Sequence, residues 1–308
     1  MRAVIYSKYG GPEVLKMHKI DKPHPKEKEV LVKVYATTVT SGDVRLRSSN
    51  FPPLLWLPAR ILFGLFKPKK KILGHEFSGI VEEIGSNVTQ FEVGDEVFGT
   101  TTMLRTGAYA EYLCLPESWK HGVLAIKPEN ATFEEAASLP IGGMTAVSLL
   151  EKSALKENQS IIVYGASGSV GSYALQVAKY RGAKITGVCS TSNLDMIHSL
   201  GATTTLDYTK QDITKLEFKY DVFFDAVGKV SKRNAKKLLE RNGTYVSVQM
   251  LTQEKTEYLI QLKHMFNEGR IRSYIDRTYS LKDISEAHTY VDTGRKRGNV
   301  VILVREQE

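Results

Sequence analysis

The sequence predicts an α/β chain in two parts, a β-rich first third followed by a doubly wound parallel sheet. Three observations carry this. Short apolar runs broken by Gly and Pro fill residues 1–116. From about residue 130 apolar runs alternate with helical patterns. Between one such run and one such helix lies the turn Gly165-Ala166-Ser167-Gly168-Ser169-Val170-Gly171. Many short strands with turn residues between them indicate a compact, barrel-like β domain, and alternating strands and helices indicate a parallel sheet covered on both faces.

In the β-rich part, "AVIY" is a short apolar run. In "EVLVKVYATTV", Val30, Val32 and Val34 alternate with Leu31, Lys33 and Tyr35. "SGIVEEIG" and "DEVFGT" follow, interrupted by Gly85 and Gly94, and "GAYAEYLCLP" stops at Pro116. Thr132 and Glu135 have the spacing of a capping box at a helix start, and "MTAVSLLEKS" continues it. Strands are expected at "SIIVYG", "KITGVCS", "TTLDY", "YDVFFDAVG" and "GTYVSVQ", with helices between them, one from about Ser231. The end reads as a helix, "TEYLIQLKHMFNEG", an extended piece, "IDRTYSL", a helix, "KDISEAHTYVDTG", and a last strand, "NVVILV".

The 308 residues allow one large domain or two ordinary ones. With 42% hydrophobic and 25% charged residues the composition is that of a soluble globular protein. The net charge of +8 suits anionic ligands. Its spread along the chain favours a phosphorylated cofactor over nucleic acid. Only Lys67–Lys71 and Arg295–Arg297 form tight basic runs, read as solvated faces. Two cysteines, Cys114 and Cys189, do not make a secreted disulfide scaffold, so a reducing cytoplasm is expected. "MRAVIYSKYGG" lacks the features of a signal peptide. The most apolar stretch, "FPPLLWLPARILFGLF", is too short for a membrane span and is interrupted by Pro52, Pro53, Pro58 and Arg60.

The glycine turn is the most informative motif. Gly165 permits a tight turn, Gly168 lets backbone approach a pyrophosphate, and Gly171 lets the following helix pack on the strand. The helix N-terminus then presents free N–H groups to the anion. Ala166 departs from the usual glycine spacing, while the strand–turn–helix–strand context supports the motif. At the end of the second strand, Ser190, Thr191, Ser192 and Asn193 stand where an acid would read a ribose 2′-hydroxyl. NADPH is therefore expected over NADH. These residues can equally cap the next helix.

"LGHEFSGIVEEIGSNV", "FEVGDEVFG", "GAYAEY", "AASLPIGGMTA", "IIVYGASGSVG", "FDAVG" and "GNVVI" together resemble the medium-chain dehydrogenase/reductase superfamily, most closely its zinc-independent quinone oxidoreductase branch. The resemblance implies a GroES-like β catalytic domain, residues 1–120 and 271–308, and a Rossmann NADP-binding domain, residues 121–270. Zinc-dependent relatives take a Cys from the early loop, the His of Gly-His-Glu, and a ligand before the nucleotide domain. Here Thr40 stands at the Cys position, "LPIGGMT" offers no ligand, and no cysteine lobe lies between Phe98 and Tyr109. A catalytic zinc needs three protein ligands, so no zinc is expected, and His75 and Glu76 are expected to make structural hydrogen bonds.

Without a Lewis acid, alcohol oxidation is disfavoured, whereas a quinone or an α,β-unsaturated carbonyl can take hydride at carbon. The family's Asn, Asp and Tyr in the early loop correspond to Thr40, Asp43 and Arg45, so a tyrosine donor is in doubt: Arg45 would instead stabilise an anion, or water would supply the proton. Asp43 can equally cap a helix. The resemblance also assigns Thr145, Val227 and Gly228 to the cofactor, Tyr208 to its 2′-phosphate, and Asn299 to the cleft. The expected function is hydride transfer from NADPH to a small-molecule acceptor. The alternatives are an NAD(P)-dependent alcohol dehydrogenase, or a nucleotide-binding sensor or structural protein with little turnover. The apolar stretch with its basic flank reads as a helix capping the substrate cleft, with membrane-surface contact as the rival. Relatives usually add a further helix and an apolar edge strand after "GTYVSVQ", and that strand pairs across the dimer. Gln249–Tyr258 is too polar for such a strand. A monomer, or a dimer built from another surface, is expected.

Overall fold

The computed structural model describes residues 1–120 and 122–305, without the side chains of Met103 and Leu104. The expected domain limits at 121 and 308 fall outside this set. Two compact units result: Met1–Pro140 with Ile275–Glu308, and Ile141–Tyr274.

The first unit begins with strands β1 (Arg2–Ile5) and β2 (Lys16–Lys19), an antiparallel pair. Then come β3 (Glu29–Thr38), helices α1 (Ser41–Ser48) and α2 (Pro53–Phe63), β4 (Glu76–Ile84), β5 (Glu96–Thr100), the short helix α3 (Thr102–Arg105), β6 (Tyr112–Pro116), β7 (Leu124–Ile126) and helix α4 (Phe133–Ser138). Strand β3 is the hub. One of its edges pairs with β4; the other pairs with β6 along its first half. Its successive residues Val30, Leu31 and Val32, which point to opposite faces, are all fully buried, as is Val34. The strict in-and-out alternation of this run is therefore lost. Thr132 closes a capping box with Glu135 and starts α4, as its spacing requires.

Helix α5 (Pro140–Lys152) leads into the second unit. There β8 (Ser160–Tyr164), α6 (Ser169–Tyr180), β9 (Lys184–Cys189), α7 (Leu194–Ser199), β10 (Thr204–Asp207), β11 (Tyr220–Asp225), α8 (Lys232–Lys236) and β12 (Leu239–Ser247) alternate. The strands form one parallel sheet in the order β10-β9-β8-β11-β12. The order reverses between β8 and β11. In such sheets a ligand binds outside the carboxyl ends of the strands, at that reversal. Apolar strand residues such as Ile161, Ile162, Val163, Phe223 and Phe224 are fully buried, as a sheet covered on both faces requires.

After β12 the chain reaches α9 (Thr256–Asn267) with no strand between them among the described residues. The polar run Thr252–Thr256 has no apolar face to bury, so the sheet ends at β12 with five strands.

The chain then returns to the first unit as β13 (Ile275–Ser280), α10 (Ile284–Asp292) and β14 (Asn299–Leu303). β14 pairs with the carboxyl half of β3, at Ala36, Thr37 and Thr38, and β13 adds to β14 in parallel. The C-terminal segment thereby completes the sheet begun by the first third. Leu281, Ile284, Ala287, Val300 and Ile302 join the core built on Val30, Phe77 and Tyr109.

Candidate active site

In the first unit the site is built around Asp43. Thr40 caps α1, and the two residues form a capping box. Asp43 Oδ2 accepts from the Thr40 N–H at 3.0 Å and from its hydroxyl at 2.6 Å, and the Asp43 N–H donates to Thr40 Oγ1 at 3.1 Å. Oδ1 accepts from the Gly74 N–H at 2.9 Å and lies 2.7 Å from His75 Nδ1. Burial alone would raise the Asp43 pKa. His75, the Thr40 hydroxyl and His288 outweigh that and bring it down to about 2. Asp43 is thus a fixed anion, and capping a helix and binding His75 are one arrangement. Beside it the Glu76 carboxylate accepts from the Thr38 hydroxyl.

One helical turn on, Arg47 is buried. Its Nη2 donates to Asp292 Oδ2 at 2.7 Å and its Nε to the Gly10 carbonyl at 3.2 Å. Its Nη1 lies 3.2 Å from His288 Nδ1. A guanidinium has no acceptor, so Nδ1 accepts and Nε2 carries the proton. Nε2 lies 3.1 Å from the Tyr109 hydroxyl, which donates to the Thr38 carbonyl at 3.3 Å. Burial pushes the His288 pKa down to about 3; Arg47 adds to this and Asp43 opposes it, so the ring is neutral near pH 7. Burial, then the Asp43 charge, raises the Tyr109 pKa well above the usual value, so its hydroxyl keeps its proton.

Arg45 stands apart from this buried network. It is exposed, at a groove of about 560 Å³ also lined by Ser48, Asn50, Phe51 and Asp292. On a helix, residues two apart point to opposite sides and residues four apart share a face. Asp43 therefore shares its face with Arg47, which that spacing could have revealed. The basic run Arg295–Arg297 is not simply solvated either. Arg297 pairs with Asp276 at 3.0 Å. Lys296 is half-buried; burial lowers its pKa, and Glu76, Asp43 and Asp276 oppose the shift. Asn299 is buried at the start of β14.

The donor set does not fit a catalytic zinc. That Asp43 holds His75 Nδ1 does not bar a metal, because metal-bound His commonly carries a carboxylate on its other nitrogen; the donor count decides. Among the described residues no group of three His, Cys, Asp or Glu could hold a metal ion. Burial raises both thiols, Cys114 to about 11 and Cys189 to about 12, so neither is a ready thiolate.

In the second unit the glycine turn has the geometry its residues imply. Gly165 has φ +78°, and a Cβ there would lie 2.2 Å from Val227 Cγ2 across the strand-order reversal. A Cβ on Gly171 would lie 2.2 Å from the Gly165 carbonyl, so only glycine lets α6 pack this closely. Gly168 is the N-cap of α6, with no side chain over the free N–H groups of Ser169 and Val170. Ala166 is buried, while Ser167 and Thr145, on α5, are half-buried. The Asp225 carboxylate accepts from the N–H groups of Val227, Gly228 and Val230 at 3.0, 2.8 and 3.0 Å, and so shapes the turn after β11.

An acid does reach the loop after β9, from the neighbouring strand. Asp207 pairs in register with Cys189. It accepts from the hydroxyls of Thr191 and Thr209 and from the Thr209 N–H at 2.9 Å. Those hydroxyl bonds lower its pKa. Its partner strand, not its own place in sequence, brings it there. Asn193 Nδ2 donates to Ser167 Oγ and Ser190 Oγ, both at 3.2 Å. Tyr208 is half exposed, its ring 6.1 Å from that of Tyr164.

Arg47→Met should destabilise the fold by about 3 kcal/mol, because it strips the buried partners of His288 and the Gly10 carbonyl. Arg45→Met should change stability by less than about 0.5 kcal/mol. Urea unfolding of the two variants checks this, and equal effects would contradict the assignment of faces.

Residues 26–128 match the family described as alcohol dehydrogenase GroES-like domain, and residues 169–292 match that described as zinc-binding dehydrogenase. The chain is similar to the 2-methylene-furan-3-one reductase of Solanum lycopersicum and to a chloroplastic NADPH-dependent alkenal/one oxidoreductase of Arabidopsis thaliana. Each is 31% identical, over 98% of this chain and 79% of the relative. A quinone oxidoreductase from Coxiella burnetii superposes with a TM-score of 0.85 at 26% identity, covering 99% of both chains. With its GroES-like unit and its Rossmann sheet, the chain belongs to the medium-chain dehydrogenase/reductase superfamily, in the quinone oxidoreductase branch.

Proposed function

We propose that this chain is a zinc-independent reductase that passes hydride from NADPH to a quinone or an α,β-unsaturated carbonyl. One observation carries the reading. One unit carries a glycine turn suited to a pyrophosphate, and the other a loop whose acid caps α1 and holds His75 with no set of three metal donors among the described residues. The names of the two plant relatives support the acceptor class.

Bound NADPH supplies the hydride. The N–H groups of Ser169 and Val170, with Gly168, would hold its pyrophosphate. Thr145, Val227 and Gly228 would bind at its nicotinamide end. Ser190, Asn193 and Tyr208 would hold the 2′-phosphate, with Lys210 as the nearby cation. Lys210 Nζ lies 4.0 Å from Asp207. Asp207 is held by Thr191 and Thr209. In the catalytic unit, Lys296 holds the oxyanion that develops on the acceptor. Asp43 and His75 hold the loop, Asn299 borders the cleft, and water supplies the proton. Two thiols with no disulfide suit a reducing cytoplasm. The partner is a small electron acceptor, not nucleic acid.

NADPH oxidation against a panel of quinones and enones tests this, with NADH as control. We expect turnover that survives a chelator, with NADPH preferred. Ser190→Asp should shift the ratio toward NADH by about tenfold, because it adds a negative charge beside the 2′ position. Lys296→Met should lower kcat/KM by about 100-fold with cofactor binding unchanged. Tighter binding of NADH by the wild type would show that Asp207 reads the ribose. Loss of turnover with the chelator would contradict zinc independence. An absence of turnover across the panel would favour the sensor reading.

With the sheet ending at β12, we propose a monomer, or a dimer built from another surface. Light scattering should give one chain of 34.4 kDa or its double. A lysine placed on the open edge of β12 should leave that mass unchanged. A dimer that such a lysine splits would contradict the proposal.

A further inference from the structure

Helix α2 is turned inside out. At 100° per residue, Leu54, Leu55, Leu57, Pro58, Ile61 and Leu62 fall within an arc of about 160°, and all six are exposed. Leu54 is 89% exposed, Ile61 60%, and Phe66 just beyond the helix 87%. The opposite side anchors the helix. Phe63 stacks on Phe51 with ring centroids 5.8 Å apart. The Arg60 guanidinium sits 4.1 Å above the Tyr9 ring, and Arg60 Nη1 donates to Ser49 Oγ at 3.1 Å. The Tyr9 hydroxyl donates to the Gly64 carbonyl at 2.8 Å. The outward apolar arc is therefore held in place, and contiguous exposed apolar patches mark interaction surfaces.

The flank of the patch decides the partner. Exposed Lys67, Lys69, Lys70 and Lys71 follow it directly. From residue 44 to residue 75 there are seven Lys and Arg and no Asp or Glu. An apolar helix face edged by clustered lysines is the composition that lies in an anionic lipid–water interface. With 11 residues α2 is too short to cross a bilayer. A second copy would offer the lysines no carboxylate from this segment, which holds no Asp or Glu, whereas an anionic leaflet supplies the opposite charge along the whole flank. We propose that α2 and the segment through Lys71 dock the protein on the surface of an anionic membrane leaflet, with Leu54, Leu57, Ile61 and Phe66 entering the interface and the lysines meeting the headgroups.

Co-sedimentation of the full chain with vesicles tests this, using phosphatidylcholine alone and phosphatidylcholine with about a third phosphatidylglycerol. At about 0.1 M salt the protein should pellet with the anionic vesicles, and at about 0.5 M it should be released. Replacing the four lysines by Gln should weaken partitioning by about fivefold per charge removed. Leu54→Glu with Ile61→Glu should abolish it while nucleotide binding is retained. If that pair disturbs folding, the lysine replacements, on solvated side chains, still decide. No pelleting at low salt would overturn the proposal, as would equal pelleting with both vesicles. So would a dimer that Leu54→Glu with Ile61→Glu splits, or a raised KM for the acceptor in that variant without any loss of vesicle binding.

Discussion

The Asp43 carboxylate is fully buried and receives four groups at once: the N–H and hydroxyl of Thr40, the N–H of Gly74 and Nδ1 of His75. A buried charge without partners would cost several kcal/mol, so these contacts must form together. They tie the start of α1 to the Gly74–His75 segment. That tie clamps both ends of the excursion carrying α2, which explains how an apolar helix with no buried residue of its own keeps a defined place.

One turn along α1, Arg47 extends the same polar structure into the C-terminal segment through His288 and Asp292. The early loop, the Gly-His-Glu stretch and α10 therefore share one buried network, with Tyr109 between His288 and the Thr38 carbonyl. Satisfied buried networks fix side-chain positions, so these side chains are held together by one another across segments far apart in sequence.

Much of the fold was legible because local and long-range preferences agree. The strand–glycine–helix turn, the Thr132 capping box and the polar run after β12 each carry their own physical cause. What stayed hidden depends on partners distant in sequence. Asp207 reaches the loop after β9 only through the register of β10 on β9. Asp225 appears in the motif "FDAVG", but its work on three backbone N–H groups follows from the turn it folds. Arg47 is within reach of the sequence, since i and i+4 share a helix face and Asp43 lies one turn before it. Lys296 looked like a solvated charge because sequence does not show that Glu76 and Asp43 lie near it.

The claim on which the rest depends is that Asp43 and His75 act as one unit. A double-mutant cycle in urea unfolding, with Asp43→Asn, His75→Gln and the pair, tests it most directly. A coupling energy of about 2 kcal/mol or more is expected, with the double variant far less destabilised than the sum of the singles. Additivity to within about 0.5 kcal/mol would contradict it.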